Sequence, residues 1–262
     1  MSATSAVSPV RVKPIQLSPE QVKFYKEQGY VLIKSLFTPE HAQMLHTEVM
    51  DLMFEVGLGM TKLKQTGKYL RGSGLDQFVN SPNLKAVAEG LMEGPSTLYM
   101  PFTAVKSGGG GGRFHFHQDN QYTRLDGPAC NIWVALSPMR KETGCLQIVP
   151  KSHLNGTLNS MLVEDGDGHK KVMFEPKDFE HIVMEPGDAV AFTRLTVHGS
   201  GVNASRDPRV AYAVQFHQNG VKARWEDGNY YDLLEKPRWP TAPVDSVAQK
   251  TVEDTRSSLD GH

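Results

Sequence analysis

The sequence predicts a mainly β protein with flanking helices, the helices gathered in its N-terminal third. Three observations carry this. Ahead of about Thr97, helix-start signals precede apolar residues at helical spacing. From Thr97 on, short segments rich in β-branched and aromatic residues alternate with turns. The 24 glycines and 16 prolines supply the punctuation that many short strands need.

The first helix opens at Ser18-Pro19-Glu20-Gln21, where Ser18 can cap, Pro19 suits the first turn and Gln21 completes a capping box; Gly29 stops it. Tyr30 to Lys34 reads as a short apolar strand. Thr38-Pro39-Glu40 starts a second helix, with Ala42, Leu45, Val49, Leu52, Met53 and Val56 on one face and Gly57 as its end. Residues 58–76 show no period and are expected as a loop. Ser81-Pro82 opens a third helix through Leu91. The strand candidates are 97–105, 114–119, 129–137, 145–150, 181–184, 188–193 and 209–217, with a tight turn at Pro186-Gly187-Asp188. Strands at this spacing predict a sandwich or small barrel. One domain is expected over residues 18–235, with 1–17 and 236–262 as tails.

Composition excludes several functions. Lys and Arg total 28 against 29 Asp and Glu, so no broad basic face for nucleic acid is available. No apolar run is long enough to span a bilayer. Two cysteines, Cys130 and Cys145, cannot build a disulfide framework and fit a reducing compartment. With no secretory leader and no peroxisomal or prenylation signal at the ends, a cytoplasmic protein is expected.

The chemistry is concentrated in Phe114-His115-Phe116-His117-Gln118-Asp119. Strand side chains alternate faces, so His115, His117 and Asp119 are expected on one side. A His and a carboxylate two residues apart can share one metal ion. The best third ligand is His198, expected to close a strand in Arg194-Leu195-Thr196-Val197-His198-Gly199-Ser200-Gly201. Two His and one carboxylate on one face of an ion form the facial triad of non-haem Fe(II) oxygenases, which leaves positions open for a cosubstrate and O₂. Arg209, on the next strand, can grip a carboxylate with two parallel hydrogen bonds, and Ser200 can donate to the same group. A small keto acid would then chelate iron at one end and be clamped at the other. Along 129–137, Ile132, Val134 and Leu136 form one face and belong to the core; Asn131 and Trp133 face the interior, where a ligand would lie. Asn131 and His115 are candidate substrate contacts. The run Gly108–Gly112 lacks the Gly-Lys-Ser/Thr ending of a nucleotide loop and is expected as a flexible connection beside the metal motif.

At these residues the sequence resembles the phytanoyl-CoA dioxygenase family of iron- and 2-oxoglutarate-dependent oxygenases, over about residues 20–218. The resemblance is carried by Phe24–Ile33 with Phe37-Thr38-Pro39-Glu40, by His117-Gln118-Asp119, by Gly144-Cys145-Leu146 with Val149-Pro150-Lys151-Ser152-His153, and by Pro186-Gly187-Asp188, His198-Gly199-Ser200-Gly201, Asn203 and Arg209. It implies a double-stranded β-helix (a cupin-like jelly roll) with N-terminal helices. It implies Fe(II) on His117, Asp119 and His198, with the far carboxylate of 2-oxoglutarate on Arg209 and Ser200. Trp133 matches an aromatic position near the cosubstrate, and Phe114 sits where some relatives carry a pocket aromatic. Some members add an upstream lysine, for which Lys62, Lys64 and Lys68 compete. The implied reaction couples oxidative decarboxylation of 2-oxoglutarate to hydroxylation, or related C–H oxidation, of a small organic substrate. A carboxylate at position 119 argues against halogenation, since related halogenases carry a small residue there. The competing reading is a cupin-like metalloenzyme without a keto-acid cosubstrate. The expected partners are the small-molecule substrate and O₂, with no nucleic acid and no membrane. The aromatic tail residues Trp225, Tyr230, Tyr231 and Trp239 either fold over the barrel mouth or make a homodimer contact.

Overall fold

Local chemistry sets the helices. In the computed structural model, which describes residues 9–55, 63–164, 169–225, 227–233 and 243–244, α1 spans Pro19–Gln28. Ser18 Oγ accepts from the Gln21 N–H and Gln21 Oε1 accepts from the Ser18 N–H, closing the expected capping box. Gly29 ends α1 at φ 86°, and a Cβ there would lie 2.5 Å from His153 Nδ1, so glycine is required twice over. Helix α2 is Pro39–Glu55 and buries Ala42, Leu45, Val49, Leu52 and Met53; the expected Val56 and Gly57 lie outside the described residues. Helix α4, Pro82–Met92, is the one expected from Ser81-Pro82.

Between them the sequence reading needs correction. Within the expected loop 58–76 the chain forms the strands Leu63–Lys64 and Tyr69–Leu70, and α3 (Gly74–Val79) starts. Ser73 caps α3 through the Asp76 N–H, and Leu75, Phe78 and Val79 are buried. Six residues are too few for a helical period to show. The expected N-terminal tail is also shorter. Val10 and Val12 are buried, the Val10 N–H donates to Gln77, and Asn83 donates to the Val12 carbonyl. Apolar residues spaced for an extended segment, without a strand partner, carry no periodic signal. Within the expected C-terminal tail, Pro243–Val244 pairs parallel with Tyr69–Leu70.

Two antiparallel sheets form the β core. The major sheet runs in the order Tyr30–Ile33, Ala189–Thr193, Ala129–Ala135, Arg209–Gln218, Ser96–Lys106, Leu63–Lys64. The minor sheet runs Glu180–His181, Leu146–Ile148, His198–Ser200, Phe114–His117. This is the jelly-roll pattern, and both faces of the major sheet are buried. Ile132, Val134, Val210, Tyr212 and Val214 join the cluster under α2, α3 and α4. Trp133, Ala135, Ala211 and Ala213 turn inward to meet Leu146 and Ile148 of the minor sheet. The alternation read along 129–137 therefore holds. No helix among the described residues is long and apolar enough to cross a membrane.

Candidate metal centre and anion pocket

Register brings the two histidines together. His198 pairs directly with His117 across adjacent antiparallel strands, so both imidazoles lie on one face, 4.3 Å apart by ring centroid. Two expectations change in detail. The strand expected over 114–119 stops at His117, and Asp119 opens a 3-10 turn, Asp119–Gln121. His198 begins its strand instead of closing it. The carboxylate still returns to the pair, with Asp119 Oδ1 3.9 Å from His117 Nε2 and 3.7 Å from His198 Nε2. One ligand atom from each residue lies within 4.8 Å of the others, a buried grouping able to hold a metal ion.

The donor set suits such an ion. His117 Nδ1 lies 2.8 Å from the His115 carbonyl and His198 Nδ1 lies 3.0 Å from the Thr196 carbonyl. Each Nδ1 therefore carries the proton, and each Nε2 keeps its lone pair toward the shared centre. Burial, with His198 beside it, pushes His117 down to about 3, so it is neutral at physiological pH. Burial alone would raise the Asp119 carboxyl, but His198, Arg194, His117 and the Asn131 amide outweigh it and hold it below its usual range. Asp119 Oδ2 accepts from Gln215 Nε2 at 3.0 Å and Asn131 Nδ2 at 3.3 Å, which leaves Oδ1 for the centre. Asn131, expected as a substrate contact, thus has its amide N–H committed to Asp119.

A second feature lies on the same interior wall. Arg209 is buried, its guanidinium 5.1 Å over the Trp133 ring. Among the described residues no carboxylate contributes to its electrostatics, and its Nε has no hydrogen-bond partner. Lys106 is its register partner, fully buried, with Nζ donating to the Gly201 carbonyl. Burial and then Arg209 push Lys106 down to about 6, while burial brings Arg209 down to about 10. Ser200, one residue before that carbonyl, is buried as well. A buried guanidinium without a counter-ion is costly, and an anion beside it would offset that cost while drawing a proton onto the neighbouring Lys106 amine.

The remaining expected residues divide. The Phe114 ring packs on His117 at 4.9 Å and on His169 at 4.6 Å. His115 is half-buried and outside the ligand cluster. Of the three competing lysines, Lys62 and the Lys64 side chain lie outside the described residues, and Lys68 is buried. Lys106, which sequence reasoning missed, is the lysine beside Arg209; it continues the inward parity of Phe102 and Ala104, a signal that was available. Gln118 was also missed. Its side chain bonds Gly156, Leu158 and Leu195, fixing the turn between the two motif residues. The glycine run is pinned instead of free: Gly109 and Gly110 donate to Ser205 and Asn203, and a Cβ on Gly108 would meet the Arg206 carbonyl at 2.0 Å.

Jelly-roll architecture with a His-Asp-His cluster defines the class: an Fe(II)- and 2-oxoglutarate-dependent dioxygenase. A sequence model of the phytanoyl-CoA dioxygenase (PhyH) family matches residues 25–211, and the chain belongs to that family. The bovine peroxisomal phytanoyl-CoA dioxygenase is 28% identical over 252 residues, covering 84% of this chain and 74% of that protein. Among solved structures, EvdO2 from Micromonospora carbonacea var. aurantiaca, complexed with 2-oxoglutarate, superposes with a TM-score of 0.68 at 18% identity, covering 79% of this chain and 94% of EvdO2. SnoN, a non-haem α-ketoglutarate-dependent epimerase from nogalamycin biosynthesis, gives 0.67 at 21% identity, covering 86% and 89%. At these identities the two structures speak for the fold.

Proposed function

We propose that the protein hydroxylates, or otherwise oxidises, a C–H bond of a small organic substrate while converting 2-oxoglutarate to succinate and CO₂. In this reading His117, Asp119 and His198 hold Fe(II), and Arg209, Ser200 and Lys106 hold the far carboxylate of the cosubstrate. The observation that carries it is Arg209: a buried guanidinium with no carboxylate partner among the described residues, on the interior wall that also carries Trp133 and Asn131. The iron, when bound, supplies the oxygen activation that no side chain here offers. The chain does the rest. The two imidazoles offer Nε2 lone pairs because their Nδ1 protons are spent on backbone carbonyls. Trp133 lies under the Arg209 guanidinium and fixes its plane. Phe114 forms an apolar wall beside His117. The carboxylate at 119 occupies the ligand position that a halide would need.

A cupin-like enzyme without a keto acid would leave Arg209 buried and idle, so that reading is the weaker one. The aromatic hairpin Lys222–Arg224/Tyr230–Asp232 docks on residues 124–126, just after the Asp119 turn. That supports a cover over this end of the barrel more than a homodimer contact; Trp239 lies outside the described residues.

The test is O₂-dependent succinate release by the Fe(II)-loaded protein, run beside Arg209→Met. The parent is expected to release succinate, and Arg209→Met to bind 2-oxoglutarate at least about tenfold more weakly, as loss of a charge-assisted pair requires. No succinate from the parent, with unchanged 2-oxoglutarate affinity in the variant, would overturn the reading.

A further inference from the structure

A carboxylate can bind a metal through one oxygen or two. Bound through two, Asp119 would occupy a position that the cosubstrate or O₂ requires. The structure shows what separates its two oxygens. Oδ1 faces both Nε2 atoms, while Oδ2 receives two N–H donors, from Gln215 and Asn131. These two amides are register partners on adjacent antiparallel strands, and both are buried.

The orientation of the Gln215 amide follows from chemistry. Arg194 has only donors, and its Nη1 bonds Gln215 Oε1, so the carbonyl end must face Arg194 and the NH₂ end must face Asp119. Arg194 is itself buried and fixed. Its Nη2 donates to the Asp119 carbonyl at 2.9 Å and the Thr123 carbonyl at 3.2 Å, and its guanidinium lies 5.1 Å over the Tyr99 ring. One guanidinium therefore holds both the backbone of the ligand and the amide that binds its outer oxygen.

We propose that Arg194 and Gln215, with Asn131, form a positioning relay that keeps Asp119 presented to the metal through Oδ1 alone. In this role the three act through Asp119. The proposal rests on the reading that the triad binds a metal.

Two near-isosteric variants test it. Gln215→Glu keeps an acceptor for Arg194 but sets a second carboxylate oxygen against Oδ2. Gln215→Met removes the donor without adding charge. Co(II) is titrated into the metal-free full chain, and its affinity and visible and EPR spectra are read, followed by the affinity of the Co(II) protein for 2-oxoglutarate. Gln215→Glu is expected to bind Co(II) about 10- to 100-fold more weakly, the usual cost of losing an outer partner of a metal ligand. Gln215→Met is expected to bind Co(II) with a changed spectrum, as Oδ2 joins the ion, and to lose at least about tenfold in 2-oxoglutarate affinity. A merely structural role would lower the melting temperature and move neither spectrum nor affinity. If Gln215→Glu fails to fold, Gln215→Met decides alone. Variants matching the parent in Co(II) affinity, spectrum and 2-oxoglutarate binding would overturn the relay while leaving the metal site standing. A parent that binds no Co(II) would overturn both.

Discussion

His117 and His198 meet because a strand register aligns them, and their tautomers are set by two backbone carbonyls. Replacing either by Ala removes one of three candidate ligands from a buried cluster. His198→Ala is expected to abolish metal binding and turnover while leaving the circular dichroism spectrum unchanged; wild-type succinate release would refute the assignment. Lys106 gives a second prediction at this scale. Burial and Arg209 hold it at about 6, well below an unfolded lysine. Between that value and about 10.4 the unfolded chain binds the extra proton, so this group makes stability rise with pH across the window, and Lys106→Met flattens that slope. An anion beside it favours the ammonium form and raises its pKa. Binding of 2-oxoglutarate at about pH 7.5 is therefore expected to take up close to one proton, measured by calorimetry in buffers of different ionisation enthalpy. Equal uptake in Lys106→Met would assign the proton elsewhere. At this scale the grouping of His117, Asp119 and His198 and the inward face of Trp133 were legible, the first from metal chemistry and the second from period-two alternation. Gln215 and Arg194 were not. A polar side chain in a strand reads as solvent-facing until the opposite sheet is known, and only the fold turns position 215 toward Asp119.

Among the elements, Ser/Thr–Pro starts made α1, α2 and α4 readable, and Gly29 marked the end of α1, because such signals act within a few residues. Helix α3 escaped for want of length, yet it matters to the core. Phe78 meets Phe37 at 4.9 Å and Tyr212 of the major sheet at 6.0 Å. Phe78→Ala is expected to cost about 3–5 kcal/mol in urea unfolding, the range for a buried aromatic; a loss below about 1 kcal/mol would mean that α3 is not part of the core. The glycine run is held by Asn203, whose Nδ2 bonds the Ser107 and Asp207 carbonyls and whose Oδ1 accepts from Ser205. Asn203→Ala leaves these groups unsatisfied, at a cost of about 2–3 kcal/mol. It is also expected to raise hydrogen exchange at Gly109 and Gly110; unchanged exchange would contradict the pinning. Strand ends around the site were the least legible. The turn at Asp119 depends on Gln118 reaching Gly156, Leu158 and Leu195, far along the chain, and local propensity carries no trace of those partners.

Across the whole molecule, the major sheet serves two cores at once. Its outer face seals the helices, and its inner face carries Asn131, Trp133, Arg209 and Gln215 toward the minor sheet, which contributes His117, His198 and Ser200. The candidate metal ligands thus come from the minor sheet and the turn at Asp119, while Arg209 comes from the major sheet with Ser200 opposite it, and folding assembles them. The jelly roll was legible through family motifs; strand count and turn spacing alone reached only a sandwich or barrel. The most direct test is an anomalous difference map from crystals grown anaerobically with Fe(II). A single iron peak within bonding distance of His117 Nε2, Asp119 Oδ1 and His198 Nε2 is the predicted result. A peak away from these atoms, or bonded to both Asp119 oxygens with one histidine free, would contradict it.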